Sequence, residues 1–308
     1  MTAHMYDVLI AGGGPAGLSA ALVLGRARRT VLVVDDDKPR NAVVKHSHGF
    51  LTRDGIEPMK LRQIAKEQIS KYQQVEFEKD CIDSIEKEGS LFLSYTKSGK
   101  AVYSRRVIIA TGMKDELPDI DGLDEVYGKS VFTCPYCDGW EHQDQPLAVF
   151  GEGKKLLKFA AIIWNWSKDL IVFTNGRSPV SDEDRRDIQN HGIRLVETPV
   201  KELVSEKGML QSVVLENGET ISRKYGFIQN SGQHQATNIP GNLGIQTTRK
   251  GGYETIGHGL TEMKGLFVVG DAKNAFTSLI GAAGEGYEAG VAMDHDMIHE
   301  DWEKVTHR

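Results

Sequence analysis

The sequence predicts an α/β protein of two Rossmann-like three-layer nucleotide-binding domains, the second inserted into the first. Three observations carry this. A strand–GxGxxG–helix–strand–acid pattern opens the chain, a fainter copy starts at Pro146, and a buried strand ending in Gly-Asp lies far downstream at 265–271. Strands alternating with helices across Gly-rich turns are the mark of a doubly wound parallel sheet. The 308 residues accommodate two domains at about 100–200 residues each.

Residues 6–11 (YDVLIA) read as a buried strand, and Gly12-Gly13-Gly14-Pro15-Ala16-Gly17 follows at once. Residues 18–27 read as a small-residue helix and 30–34 as a second buried strand, ending at Asp35, 18 residues after Gly17. Each part has a physical reason. Gly12 permits the tight turn, Gly14 lets the backbone approach a pyrophosphate, and Gly17 lets helix and strand pack closely. The free N–H groups and dipole of the helix start favour a phosphate, and Asp35 is placed to accept from a ribose diol. The uncharged run 8–25 is not a membrane span, because Pro15, Gly12, Gly13, Gly14 and Gly17 interrupt a helix that needs about 20 continuous residues.

Short alternating strands are expected around 75–107, closing on the apolar run 107–110 and Thr111-Gly112. The pattern then repeats: strand 146–150, turn Gly151-Glu152-Gly153, helix 154–166, strand 169–174, and alternating strands around 194–228 that close at Gly232. The C-terminal strand 265–270 and a small-residue helix at about 279–299 read as a return to the first sheet. The first domain is therefore expected to be discontinuous, 1–116 and 241–308, with 117–240 inserted. Pro118 and Pro240 mark the crossings.

Composition narrows the function. Lys and Arg total 37 against 43 Asp and Glu, a net charge of −6, and there is no basic block to neutralise nucleic-acid phosphates or an anionic bilayer. Neither a nucleic-acid nor a membrane partner is expected. Glycine is enriched, at 33 residues, in keeping with tight turns and close approach of backbone to a ligand. Three cysteines cannot build a multi-bridge secreted scaffold, and the opening MTAHMYD does not read as a secretory leader. The expected compartment is a reducing cytoplasm.

Cys134-Pro135-Tyr136-Cys137-Asp138-Gly139 is the sharpest chemical signal. A structural zinc needs four ligands. No second CxxC accompanies this pair and His142 is the single histidine nearby, so no metal site is expected. A pair of buried structural thiols is the bland reading. A redox pair is favoured, because CxxC spacing lowers one thiol's pKa and tunes its reduction.

GGGPAG (12–17), IIATG (108–112), CPYCDG (134–139), GLFVVGDA (265–272) and AAGEG (282–286) occur in that order. Over about residues 5–295 the chain thereby resembles the low-molecular-weight thioredoxin-reductase family of FAD flavoproteins. The resemblance implies that the first fingerprint binds FAD rather than NAD, through Gly12, Gly14, Pro15, Ala16, Gly17 and Asp35. It adds Arg40, Asn41, His48, Cys81, Thr111, Gly112, Ala272 and Leu279 to the FAD site, with Gly270 and Asp271 on the flavin-side phosphate and ribityl chain. It implies that the inserted domain binds NADPH and carries the redox pair, that Cys137 faces the isoalloxazine, and that Cys134 attacks the substrate. Asp138 would manage the proton of the departing thiolate; it also reads as an exposed turn acid. Cys81 reads equally as a small buried filler. A homodimer is implied by the resemblance alone.

The departures concern the second fingerprint, Gly151-Glu152-Gly153-Lys154-Lys155-Leu156. The family places a small residue where Leu156 stands, and a leucine there pushes helix from strand and crowds the pyrophosphate. Glu152 adds negative charge near the phosphates. After strand 169–174 the family's Arg-rich run for a 2′-phosphate is reduced to Asn175-Gly176-Arg177, while Arg185 and Arg186 lie in a helix opened by the capping residue Ser181. Gly151, Gly153, Asn175 and Arg177 therefore read as the remnant of an NAD(P)H site, and NADPH is left in doubt. The family's Arg-Gln before AAGEG is replaced by Ser278-Leu279. These departures, with the segment 46–55 (HSHGFLTRDG), are similar to the subgroup that includes gliotoxin- and holomycin-type dithiol oxidases. His46 and His48 there suit either a flavin border or an exposed polar turn.

The expected function is an FAD-dependent thiol–disulfide oxidoreductase that passes electrons between flavin, Cys134/Cys137 and a dithiol or disulfide. Its substrate would be a thioredoxin-like protein or a small dithiol, with weak or absent NAD(P)H use. A conventional NADPH-dependent thioredoxin reductase is the alternative, and a flavin-bound redox sensor is the alternative of another class.

Overall fold

Val31–Val34 is buried at every residue, as a strand covered on both faces must be. It lies in a seven-stranded sheet, traced in a computed structural model that describes residues 5–176, 180–229 and 232–306. The chain divides into two units. The first holds the residues up to Ala42, Gly49–Lys114 and the chain from Gln233 onward; the second holds Val43–His48 and Asp115–Gly232.

In the first unit the strands run Val75–Glu78, Val31–Val34, Met5–Ala11, Ala101–Ile109, Leu91–Thr96 and Ile82–Glu88 across the sheet. Met5–Ala11 pairs in parallel with Val31–Val34 and with Ala101–Ile109. The nine-residue strand Ala101–Ile109 serves two neighbours besides. Its first half takes Leu91–Thr96 antiparallel, and Val107, Ile108 and Ile109 take Leu266, Phe267 and Val268 in parallel. The downstream strand thus returns to the first sheet. Side chains alternate between faces, and two cores result. Val8, Ile10, Val31, Val33 and Ile108 pack on one face with the helices; Leu9, Leu32, Val107 and Ile109 pack on the other.

The helix Pro15–Arg26 starts earlier than its apolar pattern, because Pro15 at the first position supplies a pre-set φ. It lies against the C-terminal helix Leu279–Thr306, and the contact is made by small residues. A Cβ on Gly286 would strike the Ala16 carbonyl, and one on Gly290 would strike Val23 Cγ1. The spacing of four places both glycines on one face. The C-terminal helix runs well past His299, because its last turns are charge-paired to the sheet. Buried Arg106 holds Asp296 and Glu300 at 2.6 and 2.5 Å; Arg105 holds Asp301 at 2.5 Å and Asp7 at 3.2 Å; Arg29 holds Asp294 at 2.6 Å. Hydrogen bonding by Lys304, then by Arg106, pushes the Glu300 carboxyl down to about 2.

The second unit repeats the plan in smaller form. Its parallel sheet runs Arg194–Val196, Leu170–Phe173, Leu147–Phe150, Tyr225–Ile228 and Val131–Phe132. A three-stranded antiparallel sheet, Val200–Glu206, Met209–Leu215 and Thr220–Ser222, accompanies it. In both units the strand before the Gly-rich turn sits between the strand after its helix and the closing strand. The chain returns to the first unit at Gln233 rather than at 241, because Gln235 donates to the carbonyls of Gly251 and Ala272 and the Ala236 amide donates to Gly112. Among the described residues no helix is long and apolar enough to cross a membrane.

The helix contact generates a stability prediction. Gly286→Ala must displace the Ala16 backbone, and overpacking of this kind costs roughly 1–3 kcal/mol. Gly284 lies in the same helix with no atom within 4 Å of a built Cβ, so Gly284→Ala is expected to be neutral or to gain about 0.5–1 kcal/mol. Thermal or urea unfolding measures both; equal effects would show that the helix contact does not require the missing Cβ.

Candidate functional site

In the first unit the Gly-rich turn is shaped by absent side chains. Gly12 has φ +105°, and a Cβ there would strike the Ala110 carbonyl; a Cβ on Gly17 would strike the Gly12 carbonyl. Only glycine allows helix and strand to meet this closely. At Gly14, by contrast, no atom lies within 4 Å of a built Cβ, leaving open space over the first turn formed by Pro15, Ala16 and Gly17. The Thr111 hydroxyl is buried with no hydrogen-bond partner, and Gly112 follows at φ +72°. An open cradle of amides beside an unpaired buried hydroxyl fits the phosphates and hydroxyls of a dinucleotide.

Asp35 stands where the fingerprint requires it. Its Oδ1 accepts from the Gly13 amide at 2.8 Å, and its Oδ2 accepts from the Asp37 amide at 3.2 Å and from Arg62. A carboxylate offers about four acceptor sites, so one remains for a ribose. Arg62 is almost fully buried and also holds Asp37 at 3.1 Å. The Lys66 hydrogen bond, then Arg62, keeps the Asp37 carboxyl below its usual range. Arg62 was not read from the sequence: it lies 27 residues from Asp35, in a helix whose charges resemble a solvated face.

At the same C-terminal edge of the parallel strands, after Leu266–Val268, Gly270 (φ +67°) turns the chain into Asp271. Asp271 Oδ2 accepts from Arg40 at 2.7 Å and Oδ1 accepts from the Thr277 amide at 2.8 Å. Arg40 also donates to Gln233 Oε1 at 2.8 Å and to the Ala275 carbonyl at 3.2 Å, and it lies over the Phe276 ring. Asn41 follows it in the 3-10 turn Arg40–Val43. Ala272 is buried and Leu279 opens the C-terminal helix. Glu285, read from sequence only as part of AAGEG, braces this loop by accepting from the Gly270 amide at 2.9 Å and from Asn274. Cys81 is half-buried, and burial, then the Asp36 charge, pushes its thiol up, which makes it an unreactive filler.

In the second unit Cys134 and Cys137 are disulfide-bonded, with Cα atoms 5.2 Å apart. Cys134 is the extended residue before the single-turn helix Pro135–Asp138, and its carbonyl accepts from the amides of Cys137 and Asp138 at 3.1 Å. Both cysteines are half-buried, so exposure does not rank them. Gly139 is required, because a Cβ there would strike the Pro135 carbonyl and the Trp166 ring. Tyr136 and Trp140 are exposed, and Tyr136 stands edge-on to Trp166 at 5.3 Å.

Burial, assisted by the charge of Glu141, pushes the Asp138 carboxyl up to about 7. Asp138 thus holds its proton well above the usual carboxylate range, a condition that suits proton transfer near neutral pH, and is not an exposed turn acid. His142 stacks between Phe132 at 5.0 Å and Tyr225 at 4.2 Å, and burial pushes its imidazole down. His48, grouped by resemblance with the flavin site, belongs to the second unit. Its Nδ1 lies 3.5 Å from Glu141 Oε1, and its ring is 6.5 Å from His46. The chain's excursion at Val43–His48 carries it there, with Val44 against the second-unit core.

The second fingerprint differs from the first in the expected place. Leu156 is 1% exposed. A Cβ built on Gly151 would lie 2.7 Å from Gln229 Cβ and 3.1 Å from Leu156 Cδ1. Gly153 opens the helix Gly153–Ile163, with Glu152 before it in extended conformation. Asn175 Oδ1 is committed to the Val200 amide at 2.9 Å, and Arg185 to Glu197 at 2.5 Å. Arg177 lies outside the described residues.

A family model described as pyridine nucleotide-disulphide oxidoreductase matches residues 6–286. The probable thioredoxin reductase of Arthroderma benhamiae is 31% identical, over 96% of this chain and 81% of its own length. Among solved structures, a putative thioredoxin reductase TrxB from Bacillus anthracis has a TM-score of 0.92 at 36% identity, covering 96% of this chain and 99% of that one. HlmI has a TM-score of 0.94 at 35% identity, covering 99% of this chain and 97% of its own. With this match along nearly its whole length, a two-unit Rossmann-like fold and a CxxC disulfide in the second unit, the chain belongs to the pyridine nucleotide-disulphide oxidoreductase family, as a thioredoxin-reductase-like disulfide oxidoreductase.

Proposed function

We propose that the protein is an FAD-dependent thiol–disulfide oxidoreductase in which the first unit holds FAD, the second carries the Cys134/Cys137 pair, and nicotinamide use is weak or absent. When bound, FAD supplies the two-electron centre that the dithiol form of Cys134/Cys137 exchanges with. The residues that would hold it are Gly12, Gly14, Pro15, Ala16 and Gly17 at the phosphates with Thr111 and Gly112 beside them, Asp35 at the ribose, and Gly270 and Asp271 at the flavin-side phosphate and ribityl chain.

The exchange with substrate is carried by the chain's own sulfurs. A substrate thiolate attacks Cys134 Sγ, the Cys134–Cys137 bond breaks, and Cys137 departs as a thiolate. Asp138 in its acid form gives that sulfur a proton. The second substrate thiol gives its proton to the Asp138 carboxylate, restoring the acid, and its sulfur displaces Cys134 from the mixed disulfide; Cys134 leaves as a thiolate and takes from solvent the proton that the first substrate thiol had released there. The products are a substrate disulfide and a Cys134/Cys137 dithiol, so two electrons pass to the enzyme together with two protons, one of them by way of solvent. Run backwards, the same steps reduce a disulfide.

One observation carries the reading of weak nicotinamide use. In the first unit a Cβ at the third glycine would strike the first glycine's carbonyl, yet the second unit has fully buried Leu156 at the matching place. Its side chain and Gln229 occupy the space beside Gly151, where a pyrophosphate-binding turn needs bare backbone. A small dithiol is the favoured substrate class. The relatives named thioredoxin reductase favour, as second reading, a thioredoxin-like protein and NADPH as donor.

The two readings separate on the donor. In the FAD-loaded protein, anaerobic dithiothreitol is expected to bleach the yellow absorbance through Cys134 and Cys137, while micromolar NADPH lags far behind. Rapid, saturable bleaching by micromolar NADPH would establish the second reading instead.

Asp138 gives a second expectation. Its carboxyl titrates at about 7 when folded and at about 3.9 when unfolded. The folded state therefore prefers the acid, and stability falls as pH rises through that window. Asp138→Asn cannot ionise, so it is expected to melt above the parent protein at pH 8 while the difference vanishes near pH 4. Thermal melts across that range check this, and a constant difference at all pH values would refute the raised titration.

A further inference from the structure

Three ionisable groups lie around Glu141. Asp138 lies three residues before it, at the end of the helix Pro135–Asp138. His142 follows it, stacked between Phe132 and Tyr225. His48 approaches from the excursion Val43–His48, its Nδ1 3.5 Å from Glu141 Oε1, with His46 beyond it. We infer that His48 and Glu141 form a two-charge control on proton transfer between Asp138 and the Cys137 sulfur. They are positioning residues, because they act through Asp138 and not on the sulfurs themselves. This inference rests on the proposed role of Asp138.

The sign follows from charge alone. A bare Glu141 carboxylate disfavours a second negative charge on Asp138, so Asp138 keeps its proton to higher pH. A protonated His48 beside Glu141 offsets that charge and lets Asp138 ionise sooner. His142 is the weaker candidate for this role, because burial pushes its imidazole down and so disfavours the charged form. The pair is partly sheltered, with His48 20% and Glu141 35% exposed at the side chain, so solvent does not screen it fully. The step controlled is a single proton transfer: Asp138 gives up the carboxylic proton and becomes a carboxylate, and the Cys137 thiolate becomes a thiol.

The test uses the FAD-loaded protein and dithiothreitol, with the anaerobic bleaching rate measured from pH 5.5 to 9, a range chosen to bracket Asp138's titration at about 7. Dividing each rate by that of Asp138→Asn at the same pH removes the titration of dithiothreitol. The ratio for the parent protein is expected to fall as Asp138 ionises. The midpoint of that fall is expected to move up by about half a pH unit or more in His48→Gln and down by a similar amount in Glu141→Gln. The double variant is expected to follow Glu141→Gln, because without the glutamate His48 has no charge to offset. Midpoints that stay in place in both single variants, or move in the same direction, would overturn the inference while leaving the role of Asp138 intact. A parent ratio that is flat with pH would instead overturn the role of Asp138 itself.

Discussion

The architecture of the first unit depends on backbones that touch where side chains would otherwise stand. Around Ala16 three segments converge. Gly17 lies on the carbonyl of Gly12, Gly12 on the carbonyl of Ala110, and Gly286 on the carbonyl of Ala16. Each contact removes a Cβ from the interface, and together they draw the strand Met5–Ala11, the helix Pro15–Arg26 and the C-terminal helix into one corner. The amides of the helix start are thereby left beside open space at Gly14, which is what the proposed phosphate site needs. In the second unit Leu156 stands at the third position, and its side chain packs beside Gly151 together with Gln229.

Charge neutralisation is the second constraint. In the first unit buried or half-buried arginines hold carboxylates of two kinds: those that follow parallel strands, Asp35 by Arg62 and Asp271 by Arg40, and those of the C-terminal helix, Asp296 with Glu300 by Arg106. Asp138 is the contrast: burial, then the charge of Glu141, pushes its carboxyl up. That difference separates carboxylates that orient backbone from the one that holds a proton near neutral pH.

Much of this was legible in the residues. Gly12, Gly14 and Gly17, the CPYCDG segment, and Leu156 each impose a local demand, and local demands survive translation into structure. The long-range partners were not legible. Arg62 reaches Asp35 across 27 positions and Glu285 reaches Gly270 across 15; a charge on a helix carries no mark of which carboxylate or amide it will meet. The excursion Val43–His48 was likewise hidden, because a polar turn with two histidines has the same composition whichever unit it packs on. The end of the C-terminal helix was underestimated for the same reason: Asp294, Asp296, Glu300 and Asp301 look like a solvated acidic face until Arg105 and Arg106 arrive from the sheet and Arg29 from the turn before the strand Val31–Val34.

The disulfide closes a ring of four residues that already form one helical turn, with the Cys134 carbonyl bonded to the Cys137 and Asp138 amides. A loop that short removes little freedom from the unfolded chain, about 2 kcal/mol on the chain-entropy relation, and the turn is hydrogen-bonded independently of the sulfurs. The crosslink therefore contributes little to holding the unit together. In the proposed exchange, breaking it costs no more than that small amount and leaves the hydrogen-bonded turn in place, so the two oxidation states differ little in conformational stability.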